Sequence, residues 1–338
     1  MSNKPLNISI IVPVYNGSKF LPQCLDAIFA STFDPIEVIV VDDCSTDDSA
    51  EVSRKKGARV MSMARNSGPA AARNLAAQSA IGEILLFVDA DVVIKPDTLT
   101  QVAARFREQP EISALFGSYD DEPAEQNFLS QYKNLQHHFV HQYSNTEAST
   151  FWAGLGAVRR DIFNKLGGFD CKKFQVPSIE DIEFGLRVVN AGHRILLDRD
   201  IQGKHLKKWG MVSHLRTEIF CRALPWSKLI IQNDGLINDM NLRTSDRVSA
   251  GIVAVLLVTF PLVFWKPYML AVTVALGLAV IFLNREIFRF FLKKKGIIFA
   301  IMIFPWQLLY FFYSGTAFVA SWFWYALPLR FGIRARTN

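Results

Sequence analysis

The sequence predicts an α/β fold, a mostly parallel sheet flanked by helices, followed by an α-helical membrane region. Up to about residue 200 short β-rich runs alternate with helical patterns, and most of those runs have a continuously apolar stretch without polar alternation. Alternation of this kind marks a parallel sheet built from β-α-β units, and a strand covered on both faces reads as a continuous apolar run. Nearly all the longer apolar segments lie after residue 247.

In order, "ISIIVPVY" (8–15), "EVIVVDD" (37–43), "ARVMSM" (58–63), "EILLFVD" (83–89) and "ISALFGSY" (112–119) read as strands. Helical spacing covers 18–31, 46–57, 68–80 and 96–109, with Ser18, Thr46 and Asp47 as caps and Pro69 and Pro96 suited to a first turn. "FWAGLGAVRRDIF" (151–163) reads as a Gly-containing loop or strand followed by a helix, and a further helix is expected over 180–191. Ligands of such sheets bind beyond the carboxyl ends of the strands.

From residue 248 the pattern is that of a membrane protein. The segments 248–265 and 268–283 approach the length needed to cross a bilayer and are joined by a Trp265-Lys266-Pro267 corner, as in a helical hairpin. "NREIFRFFLKKKG" (284–296) suits an interfacial cytoplasmic helix. Residues 297–327 carry no charge, and Pro305 is expected to mark the turn from an interfacial piece into a span, with three or four spans in all. Residues 248–338 hold nine Lys/Arg against one acid, an excess of eight, while the whole chain is at +6, which leaves the first 247 residues at −2. The basic balance therefore describes membrane flanks such as Arg330, Arg334 and Arg336, and no nucleic-acid surface is expected. Before the spans, 210–232 is amphipathic and suits an interface helix, so the chain divides into a cytosolic part (1–203), a juxtamembrane part (204–247) and a transmembrane part (248–327).

Four scattered cysteines, Cys24, Cys44, Cys171 and Cys221, form no C-x-x-C pair, as expected of a reduced cytosolic part. The apolar run near the start is broken by Pro13 and Asn16 too early for a signal peptide.

The chemistry is concentrated at strand ends. The strand "LLFVDADVV" stops on Asp89 and Asp91, and residues i and i+2 of an extended chain face the same way, so both carboxylates can reach one ion. Hard oxygen ligands suit Mg²⁺ or Mn²⁺ held also by diphosphate oxygens. Taken alone, such a triplet is common by chance and better fits a loop cap beside a solvated acid. "VVDDCSTDDS" ends the second strand on Asp42 and Asp43, where a carboxylate could accept a hydrogen bond from a nucleotide base, and "IVPVYNG" leaves Pro13, Tyr15 and Asn16 at the same edge. A dinucleotide-dependent redox enzyme would need G-x-G-x-x-G after the first strand, and "VPVYNGSKF" has one glycine. A catalytically silent membrane scaffold is a further class of reading.

Five stretches in order, "SIIVPVYNGSKFLPQCLDAI", "VIVVDDCSTDDS", "RNSGPAAARNLAAQSAIGEILLFVDADV", "WAGLGAVRRDIFNKLGGFD" and "EDIEFGLRVVNAGHRI", resemble the successive motifs of the inverting family 2 glycosyltransferases of GT-A fold. The resemblance implies that Tyr15, Asp42 and Asp43 hold the nucleoside of a UDP-, GDP- or dTDP-linked donor, with Pro13 and Asn16 at the same edge counted in the nucleotide-sugar site. It implies Asp89 and Asp91 as the metal–diphosphate motif, with Asp89 alternatively reaching the donor ribose. Gly68 and Pro69 open a helix that either offers backbone N–H groups to the donor or simply packs on the sheet. Asp181 matches the base that takes the acceptor proton, beside Glu180; the bland alternative is that these acids decorate a helix start. Trp152 and Gly154 would lie near the sugar or acceptor, or Trp152 in the core. His205 in "GKHLKKWG" matches a further metal or diphosphate contact, while Lys204, Lys207 and Lys208 suit anionic lipid. His137 and His141 share a helical face with no acidic partner nearby and are expected in a solvated or packed helix.

Processive relatives carry Q-x-x-R-W where this chain has "CRALPW", with Arg222 and Trp226 spaced differently, which argues against polymer synthesis. The expected protein is thus a membrane-anchored, metal-dependent, non-processive glycosyltransferase, its catalytic domain cytoplasmic and its acceptor a hydroxyl on a lipid-linked or membrane-associated molecule. The alternative is a polyprenyl-phosphate sugar synthase, whose acceptor is the lipid phosphate.

Overall fold

A computed structural model of the chain describes residues 6–233, 240 and 243–326. The chain divides into two compact units, Met1–Gly210 and Met211–Asn338.

The first unit is built on nine strands. β1 (Ile8–Val14), β2 (Glu37–Asp42), β3 (Arg59–Ser62) and β4 (Ile84–Val88) fall where the apolar runs predict, as does β6 (Ile112–Tyr119). Three short or mixed strands complete the sheet with β8 (Leu155–Arg159): β5 (Val92–Ile94), β7 (Glu147–Ala148) and β9 (Arg194–His205). The strand order is β3-β2-β1-β4-β8-β6-β9-β5, with β7 on β9. Pairings among β3, β2, β1 and β4 are parallel, as is β6 with β9. β8 runs antiparallel to both its neighbours, and β5 and β7 run antiparallel to β9. The sheet is therefore mixed rather than mostly parallel, with four parallel and four antiparallel pairings.

Helices α1 (Leu21–Phe29), α2 (Ser49–Lys55), α3 (Gly68–Ser79), α4 (Thr98–Glu108), α5 (Phe128–Tyr143), α6 (Arg160–Lys165) and α7 (Glu180–Asn190) flank it. Leu21, Leu25 and Ile28 of α1 and Leu99, Val102 and Phe106 of α4 join the strand side chains in one buried core. On the other face Phe87, Phe163, Phe169 and Phe184 form a ring cluster with centroids 5.2 to 5.5 Å apart. Each buried ring contributes roughly 1.5–3 kcal/mol by area alone, and this cluster fixes the first turns of α7 against β4.

The expected caps serve another purpose. α1 and α2 start without a side-chain cap. Asp47 instead accepts from the Ser18 backbone N–H at 3.0 Å, and Thr46 donates its N–H to Asn16 at 2.8 Å, so these residues staple two loops together.

The second unit holds α8 (Met211–Arg216), a π-helical stretch (Thr217–Ala223), α9 (Leu224–Gln232), α10 (Thr244–Leu262), α11 (Met269–Leu283) and α12 (Arg285–Ser321). Two helical stretches, Thr244–Leu262 and Arg285–Tyr325, are long and apolar enough to cross a membrane, while α11 is shorter. Val253, Val280 and Phe311 pack α10, α11 and α12 together, and Asn284 Nδ2 donates to Ser249 Oγ at 2.8 Å. The helical path breaks at Gly296, with φ 83° and ψ 178°, a conformation open essentially to glycine. Pro305 lies inside the continuing helix, so the expected break moves nine residues earlier. Arg330, Arg334 and Arg336 lie outside the described residues.

Candidate active site

The ends of β1 and β2 form one corner of the site. Tyr15 is 52% exposed just past β1, its ring free to lie against a flat ligand. Asn16, at φ 50°, accepts from Thr46 and donates its N–H to Ser45 Oγ at 2.9 Å, holding the two loops in register. Pro13 is buried within β1 opposite Val41 and does not reach past the strand end. Asp42 is buried and accepts from Ser45 N–H with Oδ1 at 3.1 Å, leaving Oδ2 for another donor.

Asp43 is tied to the start of α3. Its two oxygens accept from the backbone N–H of Ser67 and of Gly68, each at 2.8 Å. The carboxylate thus occupies the start of α3, satisfying orphan donors at the positive end of the helix. Gly68 N–H is taken up in the same contact, while each Asp43 oxygen keeps a further lone pair. Gly68 is nevertheless required as glycine, since φ is 84° and an added Cβ would fall 2.6 Å from the Gln175 carbonyl oxygen.

At the end of β4, Asp89 and Asp91 point to different partners. Arg73, nearly fully buried on α3, donates to Asp89 Oδ1 at 2.7 Å through Nη2 and to Glu180 Oε1 at 3.0 Å through Nη1. Glu180 Oε2 accepts from the Ser178 N–H at 3.0 Å. A single guanidinium therefore ties the D-x-D acid to the acid pair of α7. Arg73 escapes a reading of "GPAAARNLAAQ" as a small-residue packing helix. The available signal is that an arginine on such a face can be buried only against carboxylates.

Asp91 faces His205, with Oδ2 and Nε2 3.5 Å apart. The β5–β9 ladder brings them together, since Val92 is in register with His205 and Leu206 N–H donates to the Asp91 carbonyl at 2.9 Å. Burial opposes charge on Asp91, but the His205 hydrogen bond and the His205 and Lys207 charges hold it below the usual carboxylate range. Among the described residues no group of three or more His, Cys, Asp or Glu side chains is arranged around one point. Two donors, one a carboxylate, still fit a hard divalent cation that takes its other ligands from diphosphate oxygens and water.

Asp181 is half-buried at the start of α7. Its Oδ2 accepts from Ala153 N–H at 3.0 Å and its Oδ1 from the Ile182 N–H at 2.9 Å. Burial, reinforced by the Glu180 charge, pushes its pKa up to about 7 despite those hydrogen bonds and Arg73. Neighbouring Trp152 packs edge-on to Tyr119 with centroids 4.8 Å apart, and also against His137 and His141. A Cβ on Gly154 would fall 2.5 Å from Trp152 Cε2. Gly154→Ala is therefore expected to displace the indole and destabilise the unit by about 1–3 kcal/mol, readable as a lower denaturation midpoint.

α5 is packed, as expected. Buried His141 places Nδ1 3.0 Å from the Gly117 carbonyl, and burial lowers its pKa to about 4. His137 contributes to the ring cluster around Trp152.

The model of the family described as "Glycosyl transferase family 2" matches residues 9–167. Glycosyltransferase GlyG of Streptococcus pneumoniae is 31% identical over 126 residues, 36% of this chain and 42% of that protein. The poly(ribitol-phosphate) beta-N-acetylglucosaminyltransferase TarS of Staphylococcus aureus is 39% identical over 106 residues, 29% of this chain and 18% of TarS. The aligned part thus spans less than half the length of these relatives. Two solved structures share the fold. The mannosyltransferase PcManGT from Pyrobaculum calidifontis, in complex with GDP-Man and Mn²⁺, superposes with a TM-score of 0.53 at 18% identity, covering 98% of this chain and 88% of that one. TarS residues 1–349 in complex with UDP-GlcNAc give 0.53 at 20% identity, covering 98% and 94%. The match over residues 9–167, just under half of the chain, is to the family 2 glycosyltransferases, and the mixed sheet of the first unit is shared with both solved structures.

Proposed function

We propose that the chain is a membrane-anchored, inverting glycosyltransferase that moves a sugar from a nucleotide diphosphate donor to a hydroxyl of a lipid-linked or membrane-associated acceptor, without processivity. The observation that carries this is Asp181, a carboxyl with a pKa near 7, held by the Ala153 N–H at 3.0 Å and joined through Glu180 and Arg73 to Asp89. A base poised near neutral pH is ionised in a substantial fraction of molecules and still basic enough to accept the acceptor proton.

In this reading Tyr15 lies against the nucleobase and the remaining oxygen of Asp42 accepts from its N–H. Asp89, oriented by Arg73, meets the donor ribose or diphosphate. Asp181 takes the proton as the acceptor oxygen attacks the anomeric carbon from the side opposite the diphosphate, so one displacement inverts that carbon. Asp91 and His205 would hold a Mg²⁺ or Mn²⁺ ion, which when bound offsets the negative charge growing on the departing diphosphate. A positioned base favours a hydroxyl acceptor over a lipid phosphate, which is already nucleophilic. Anchoring is supported by the two apolar helices, whose most apolar stretches are only 11% and 22% buried within the protein, and a cytoplasmic catalytic domain is part of the same reading.

The donor given to TarS makes UDP-GlcNAc the first to try. Purified full-length chain should hydrolyse or transfer from one among UDP-, GDP- and dTDP-sugars, with activity lost on chelation and restored by Mn²⁺ or Mg²⁺. Titration calorimetry showing no metal-dependent binding of any of the three nucleotide diphosphates would sink the proposal.

A further inference from the structure

We infer that Tyr119 is a positioning residue that holds the His205 imidazole against Asp91 and links the cation side of the site to the loop that carries the base. The inference rests on the glycosyltransferase reading above and concerns a residue that the motifs leave in the core strand "ISALFGSY".

Tyr119 is the last residue of β6 and is nearly fully buried. Its ring lies flat on His205, centroids 4.2 Å apart and planes within 11°. Its register partner on β9 is Gly203, which brings no side chain between the two rings. Tyr119 also meets Trp152 edge-on at 4.8 Å and His137 at 4.5 Å. Trp152 directly precedes Ala153, whose N–H holds Asp181. One ring therefore contacts both the residue that faces Asp91 and the neighbour of the residue that orients the base.

The physical effect is pre-organisation. A histidine at a strand end has two side-chain torsions to fix before Nε2 can face Asp91, and its 3.5 Å separation from Oδ2 leaves room for an incoming ion to draw both groups in. A flat aromatic partner restricts ring rotation without competing for the nitrogen, and such pairs add a modest gain beyond burial. Losing it lets the imidazole sample orientations that cannot bind, which lowers apparent affinity by the competent fraction.

Titration calorimetry of the full-length chain with UDP, with and without Mn²⁺, tests this. Tyr119→Leu should weaken Mn²⁺-dependent UDP binding by about tenfold and leave metal-free binding within about twofold, while Tyr119→Phe, which keeps the ring, should stay within about threefold of wild type in both. Should Tyr119→Leu fail to fold, Tyr119→Val suits a strand and removes the ring equally. Unchanged Mn²⁺-dependent binding in the ring-less variant, or an equal loss with and without metal, overturns the inference while the enzyme reading stands. Wild-type protein that binds no UDP with Mn²⁺ overturns both.

Discussion

Asp181→Asn should lower kcat/KM for sugar transfer by about two to four orders of magnitude while UDP binding stays near the wild-type level. Asparagine keeps the shape and can still accept from the Ala153 N–H, but it cannot take a proton from the acceptor hydroxyl. Because burial raises the Asp181 pKa to about 7, wild-type activity should climb with pH through an acid limb centred near that value, and Asp181→Asn should abolish the limb. The sign for stability is the reverse. Between the ordinary 3.8 and about 7 the folded state keeps a proton that the unfolded chain has lost, so this group makes the unit less stable as pH rises through that window. Transfer that survives Asp181→Asn largely intact would remove both the base role and the hydroxyl acceptor, leaving a lipid phosphate as the better acceptor.

Arg73→Met should cost the first unit about 3–5 kcal/mol, because it leaves Glu180 buried without its counter-charge. Its effect on chemistry should be separable from that loss. Arg73 is one of the groups that lowers the Asp181 pKa, so its removal favours the protonated acid and should move the acid limb to higher pH. Arg73→Lys restores the charge but not the two-pronged geometry that reaches Asp89 and Glu180 at once, so it should recover part of the stability and less of the rate. A melt and a pH–rate profile on the same three proteins check this. A profile unmoved in Arg73→Met would reduce Arg73 to a structural ion pair.

How far the residues announced these features depended on how each one is paired. β1, β2, β4 and β6 are apolar on both faces and could be read directly, since a covered strand needs no alternation. β9 could not, because Asp198, Arg199 and Asp200 interrupt it, and buried Asp198 is paired with Arg105 at 2.6 Å and with the Asp200 N–H at 3.1 Å. β5 is three residues long and has no periodicity to detect. The catalytic-type acids stood out as motifs, whereas Arg73 and Tyr119 did not, since their partners lie 107 and 86 positions away in sequence. Asp43 shows the opposite case, a motif acid whose tertiary partner turned out to be a helix start.

The place of Asp89 and Asp91 in the strand order carries one more consequence. β4 and β5 are joined by residues 89–91 alone, yet the sheet path between them runs through β8, β6 and β9. Laid flat, four strand spacings come to about 19 Å, while the four-residue step from Val88 to Val92 reaches at most about 14 Å. The sheet therefore has to curl until its far edge meets its middle, and the Asp-Ala-Asp segment is the tether that closes the loop. Slack introduced there, by one inserted residue for instance, would let the sheet relax open and carry Asp91 and His205 away from Asp181 without touching any of the three.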